Sequence, residues 1–312
     1  MGKKYLDLVR LGENQWWRYG LGLVIILIFW LVVGGMLYLV PLTWGAFTLY
    51  SSDVLSAGLD VLAIEEYAAM APPIVLFTAT LVTFVTLLAG IWVAVRVIHQ
   101  RPLRTLVTPA PEVNWGRFAQ GFLLFGVLLI VASVTESLLY PGRYEFVLDF
   151  NRFWPFLVIG LILIPVQTAS EELLFRGYWM QGLSLLIKRP VLLCVVAGLL
   201  FAIPHLANPE LKAGFWLVAP QYLIVGFALA FITLKDNGLE LALGVHTANN
   251  LFVGLLVSFP GSALRSETVF FSSTMDPVFS LISVAIVYAV FYLAMFPPGR
   301  TPRAVSTDAA HD

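Results

Sequence analysis

Eight stretches of this chain are long and apolar enough to cross the hydrocarbon core of a bilayer as helices. That core is roughly 30 Å thick, and about 20 residues cover it at 1.5 Å each. The stretches lie near residues 20–42, 72–98, 118–139, 154–187, 190–206, 214–234, 239–259 and 278–296. The fourth exceeds one straight span and is expected to bend at Pro165, with a more amphipathic second half. The fifth is short, and Pro204 stands near its end. Of 312 residues, 59% are hydrophobic and only 12% charged, about half the charge share of a soluble domain. The expected fold class is therefore all-α: a polytopic transmembrane helical bundle of about eight spans.

The positions of Lys and Arg predict its orientation, because cytoplasmic ends of membrane helices collect them. With the N-terminus inside, Lys3, Lys4, Arg10, Arg18, Arg96, Arg101, Arg104, Arg117, Lys188, Arg189, Lys235, Arg300 and Arg303 lie at inside ends. Arg143, Arg152, Lys212 and Arg265 lie outside, and Arg176 falls within a span. The connection between the first two spans carries Asp53, Asp60, Glu65 and Glu66 and no basic residue. This predicts an N-in, C-in bundle. The first apolar run is full length and reads as a signal anchor rather than a cleaved peptide. "MGKKYL" lacks the Ser or Thr of a myristoylation signal, and "AAHD" is no prenylation box.

Composition excludes several classes. A net charge of −1 without a basic run gives no surface for nucleic acid. Cys194 is the single cysteine, so neither an intramolecular disulfide nor a thiolate metal cluster is available. Within "VLLCVVAG" it reads as a small apolar side chain.

Ionisable residues deep in the spans are few: Glu171, Glu172, Arg176, His205 and His246, with Glu136 near the outer end of the third helix. Charges at such depth cost several kcal/mol, so they face a wet cavity or each other. A purely structural reading makes them a buried network that fixes helix packing. Glu172 and Arg176, four apart with the acid first, suit that reading. Glu171 lies about 100° around the helix from Glu172, so the two carboxylates need not share an environment. His246 and Asn250 in "HTANN" project from one face of the seventh helix, and Phe201 and His205 in "FAIPH" from one face of the fifth. For a lone transmembrane His or Asn the structural alternative is an interhelical hydrogen bond. Glu171, His205 and His246 stand 17, 16 and 11 residues from Lys188, Arg189 and Lys235. These separations correspond to roughly 25, 24 and 16 Å along their helices. Three helices thus bring a carboxylate, an imidazole and an imidazole with an amide to comparable depth. That is the composition of a hydrolytic site, with groups to activate water and donors to hold an oxyanion.

In order and spacing, Glu171-Glu172-x-x-x-Arg176, Phe201-x-x-x-His205 and His246-x-x-x-Asn250 on successive helices resemble the CPBP family. Its members are type II CAAX prenyl endopeptidases and bacteriocin-processing or self-immunity (Abi) proteins. The resemblance covers residues 154–259 and implies an intramembrane glutamate protease whose helical bundle encloses a cavity open to the cytosol. It implies Glu171 as general base for the hydrolytic water, assisted by His205, with His246 and Asn250 stabilising the oxyanion. Glu172 and Arg176 are then supporting residues, Arg176 orienting carboxylates, and Phe201 is packing. Pro204, directly before His205, departs from a uniform pattern and bears on where that imidazole points. The chain divides accordingly into residues 1–152 with three helices and no recognised motif, a protease core at 153–259, and a last helix with a polar tail at 260–312.

The expected protein is a multi-pass enzyme of the plasma (inner) membrane. Its partners would be the lipid bilayer and a peptide or lipidated-peptide substrate, CAAX-like or otherwise, with no cofactor. A zinc hydrolase is the alternative enzyme, since one Glu and two His suffice for a catalytic site, but two His flanking a Glu on one helix are lacking. A non-catalytic immunity or scaffold protein is a further alternative. A transporter would call for Gly/Pro-broken helices at equivalent places in two halves, and these are not evident.

Overall fold

A computed structural model of the chain describes residues 4–40, 43 and 71–298. The predicted all-α membrane bundle is what it forms. In lipid a helix satisfies its own backbone polar groups, so apolar runs of this length have no other compact solution. The helices are α1 (Trp16–Val40), α2 (Pro73–Ile98), α3 (Trp115–Leu139), α4 (Phe150–Leu183), α5 (Pro190–His205), α6 (Phe215–Asp236), α7 (Glu240–Leu251) and α8 (Pro277–Met295). Six of them are long and apolar enough to cross a membrane. The other two, α5 and α7, are shorter, and α7 runs on through a π-helical turn at Phe252–Leu256. The expected acidic connection after α1 and the polar tail lie outside the described residues.

Helix ends follow ordinary capping chemistry. Asn114 accepts from the Arg117 amide at the start of α3, Asp149 from Asn151 at α4, and Asp276 from Val278 and Phe279 at α8. Asn237 ends α6 in the left-handed region, φ 56°. α4 continues as helix through Pro165, and Leu173–Met180 is π-helical.

The connections alternate between two ends of the bundle. At one end the 3₁₀ segment Tyr5–Leu11 docks beside three connections. The Tyr5 amide donates to Asn237 Oδ1 (2.8 Å), the Tyr5 hydroxyl to Leu106 O (2.6 Å), and Arg101 Nη1 to Gln181 Oε1 (2.7 Å). At the other end a small sheet forms in the order β1-β3-β2 from Tyr144–Phe146, Phe270–Ser272 and Val257–Ser258. β1 pairs antiparallel with β3, and β2 parallel. We call these the N-segment end and the sheet end. Exposed Trp16 and Trp115 ring the first, and Trp154 and Trp216 the second, as interfacial anchors do.

Two close helix contacts place the site. Gly244 of α7 lies against the Phe118 carbonyl of α3, where an added Cβ would collide with backbone. Gly226 of α6 lies on Gly198 of α5, with the Gly198 Cα 2.8 Å from where its Cβ would be. Small residues let membrane helices approach to backbone contact. The main core packs Tyr5, Leu106, Phe175, Tyr178, Leu241 and Phe291, among others, and fills the N-segment half.

Candidate active site

Glu171 and Glu172 close the α-helical part of α4, directly before its π-helical stretch. Both are buried, and their surroundings differ as their 100° separation requires. Glu172 Oε1 accepts from Arg176 Nη1 at 2.7 Å and from His246 Nδ1 at 2.8 Å. Arg176, fully buried, gives its Nη2 to the Gly226 carbonyl (3.1 Å) and lies 4.5 Å over the Phe201 ring. This pair is a three-helix clasp, joining α4, α6 and α7.

Glu171 faces elsewhere. It lines a cavity of about 420 Å³ that also exposes His205, His246 and Asn250, while Glu172 and Arg176 are absent from its walls. Its Oε2 is 3.5 Å from His246 Nε2. That is ion-pair range but too long for a well-formed hydrogen bond, and Oε2 is buried with no hydrogen-bond donor. His246 therefore stands between both acids, Nδ1 on Glu172 and Nε2 toward Glu171. One turn away, Thr168 and Thr247 share a hydrogen bond of 2.8 Å that ties α4 to α7.

His205 ends α5. Its Nδ1 donates to the Phe201 carbonyl at 2.7 Å, which leaves Nε2 as the free ring nitrogen. Its ring is held between Phe201 (4.4 Å) and Tyr222 of α6 (4.8 Å, 32° between planes). Asn250 Oδ1 accepts from Asn249 Nδ2 at 3.1 Å, which leaves the Asn250 amide hydrogens unused. Pro204 does not carry His205 away from the cavity.

Several residues that the motifs did not mark also belong here. Tyr222 accepts from Asn208 Nδ2 (3.0 Å) and donates to Glu210 Oε2 (3.4 Å), and Glu210 Oε1 accepts from the Ala263 amide (2.7 Å). This chain of bonds links the cavity wall to the 257–276 connection. Burial holds the Glu210 carboxyl above its ordinary range, opposed by the Ala263 amide. Glu136 lines the cavity near the sheet end, paired with Arg143 (2.7 Å) and with the Tyr144 hydroxyl. Gln167, one turn before Glu171, also lines it. None of these follows a spacing rule with its partner, so only an unpaired polar residue in an apolar run could have marked them.

Among the described residues no three His, Cys, Asp or Glu side chains converge to hold a metal ion. His246 Nδ1 bonds Glu172 and His205 Nδ1 bonds the Phe201 carbonyl, which leaves the Nε2 of each ring without a hydrogen-bond partner. Cys194 is buried in the main core, away from the cavity walls.

Residues 151–252 match the family model described as type II CAAX prenyl endopeptidase Rce1-like. Uncharacterized protein YyaK of Bacillus subtilis (strain 168) is 32% identical over 284 residues, 89% of this chain and 91% of that protein. No solved structure matches the chain. The matched segment includes every residue of the acid, imidazole and amide set, and the likeness to the relative extends over nearly the whole chain. The chain belongs to the type II CAAX prenyl endopeptidase, Rce1-like family of multi-pass membrane proteins.

Proposed function

We propose that the protein is a plasma-membrane endopeptidase that hydrolyses a peptide bond with water activated by Glu171. The observation that carries this reading is the division of labour between adjacent carboxylates. Glu172 Oε1 is occupied by Arg176 and His246 and the residue is absent from the cavity walls, whereas Glu171 lines the cavity and reaches its nearest charged partner, His246 Nε2, only at 3.5 Å.

In the proposed reaction Glu171 takes a proton from water as the oxygen attacks the scissile carbonyl carbon. The electron pair of the C=O bond moves onto its oxygen. Asn250 Nδ2 and His246 Nε2 supply donors for that oxyanion. His246 is suited to this in its doubly protonated form, since Nδ1–H is already spent on Glu172. His205 Nε2 accepts from the attacking water and aligns it. Glu171 then returns its proton to the leaving nitrogen as the C–N bond breaks. The substrate is a membrane-associated peptide, and the proposed chemistry draws on no metal.

The test compares membranes of cells producing wild-type protein or a Glu171→Gln variant, with new peptide termini read by mass spectrometry. Termini present with wild type and missing with the variant, at equal levels of folded protein, are expected. Termini unchanged in the variant overturn the reading. Stoichiometric zinc in the purified protein with chelator-sensitive cleavage would replace it by metal hydrolysis. A cellular effect that survives the substitution would replace it by a scaffold role.

A further inference from the structure

α4 gives the cavity wall two side chains, Gln167 and Glu171. They stand four residues apart and so share one face of the helix. The hydroxyls between them are satisfied elsewhere. Thr168 bonds Thr247 of α7 (2.8 Å), and Ser170 donates to the Gln167 carbonyl (2.7 Å). Glu171 has a part in the proposed reaction, whereas the side chain of Gln167 has none.

Gln167 is 7% exposed, and its Oε1 is buried without a hydrogen-bond partner among the described residues. Two other buried glutamines of the bundle are treated differently. Gln181 Oε1 accepts from Arg101 (2.7 Å), and its Nε2 donates to the Thr105 carbonyl (2.8 Å). Gln221 Oε1 accepts from Ser280 (2.8 Å), and its Nε2 donates to the Leu217 carbonyl (3.0 Å). A buried polar atom left unpaired costs stability, and an apolar side chain of the same length would fill the space without that cost. Placed on a cavity wall, an unpaired carboxamide is fitted to a partner that arrives with the ligand.

The packing of α4 on α7 sets the level of this amide. α4 runs away from the sheet end and α7 toward it. Glu171 with His246 (3.5 Å) and Thr168 with Thr247 fix their register. One turn nearer the sheet end than Glu171 and His246, α4 therefore carries Gln167 and α7 carries Asn250, both on the wall. Four helical residues rise about 6 Å, roughly the length of two residues of extended peptide.

We propose that Gln167 is a substrate-binding residue, whose carboxamide pairs with a backbone peptide group of the substrate within about two residues of the scissile bond. This rests on the proposed role of Glu171. A carboxamide offers a donor and an acceptor, the complement of the C=O and N–H of a peptide unit. A half-turn of its last torsion exchanges the two ends at nearly constant shape, so either can meet the substrate. The substrate class that fits is a segment held extended along α4 and recognised there by its main chain. A segment that stays helical has those groups spent on itself and cannot use this contact.

Gln167→Met keeps the length of the side chain and removes both hydrogen-bonding ends. In full-chain protein purified in detergent, its unfolding midpoint is expected at or above that of wild type. In cell membranes its Glu171-dependent termini are expected to form about tenfold more slowly, as the loss of one hydrogen bond to substrate requires. Gln167→Leu repeats both readings should Gln167→Met fail to accumulate. A lowered midpoint with a parallel loss of termini makes Gln167 a packing residue and overturns the proposal. Termini formed at the wild-type rate overturn it too. Gln167→Cys gives a reading independent of catalysis. N-ethylmaleimide is expected to label it in the folded protein and to spare the parent chain, whose single thiol, Cys194, is buried. An unlabelled Gln167→Cys shows the position closed off and also overturns the proposal. If wild type forms no Glu171-dependent termini, the catalytic reading falls and this contact with it, whereas failure of the contact alone leaves those termini intact.

Discussion

Two neighbouring glutamates make the sharpest contrast at the residue scale. Glu172 is half of a buried ion pair and also accepts from His246, so removing its charge strands Arg176 in the core. Breaking such a pair costs on the order of 3 kcal/mol, and Glu172→Gln should show it as a lowered unfolding midpoint in detergent. Glu171 stands outside that pair and reaches His246 Nε2 only at 3.5 Å, so Glu171→Gln should unfold within about 0.5 kcal/mol of wild type while losing cleavage by at least about 10²-fold. Equal destabilisation by both would mean the two acids share one structural role. The angular split of the pair was legible in the sequence because helical geometry alone dictates it. The contact of His246 with both carboxylates was not, since it depends on how α4 and α7 are juxtaposed. Tyr222 was equally hidden, one aromatic among 43, yet its ring is one of two that hold His205. Tyr222→Leu should free that imidazole and lower kcat about 10- to 100-fold with KM little changed. Tyr222→Phe, which keeps the stack, should retain most activity, and a matching loss in both variants would refute positioning by the ring.

Among the elements, the α3–α7 contact sets where His246 and Asn250 stand. Gly244→Leu inserts a side chain where α3 backbone lies, and overpacking of this kind costs about 1–3 kcal/mol. Its unfolding midpoint should fall, with cleavage falling too because His246 is two residues away; a midpoint equal to wild type would show that the helices separate freely. The 257–276 connection is fastened differently, through Glu210. Burial raises that carboxyl in the folded state, so the fold binds its proton more tightly than the unfolded chain. The resulting stability is full below the ordinary carboxylate range and is lost as pH rises through the raised value. The stability of wild type relative to Glu210→Gln should therefore decline with rising pH across that window, and a pH-independent difference would refute the linkage. Helix positions were readable because apolar runs of about 20 residues admit one solution in lipid. The π-helical stretch Leu173–Met180 was not readable, because nothing in composition distinguishes it from α-helix. The three short strands were also unforeseen, since they lie in connections where pairing depends on distant partners.

For the whole molecule, the sequence predicts which end collects positive charge, and the fold supplies which residues wall the cavity. Neither is sufficient alone. The charge count needs only the order of the spans, whereas the cavity depends on how the helices pack against one another. The N-segment has a consequence for how the chain is assembled. Tyr5 donates its amide to Asn237, 232 residues further along the chain, and its hydroxyl to Leu106 and Arg176. A ribosome therefore makes this segment long before its docking partners exist. It must remain undocked at the membrane surface until the sixth helix has been inserted and the turn after it has emerged. Its seating is then a late event in biogenesis, and it occurs after every residue from Glu171 to His205 has already entered the bilayer.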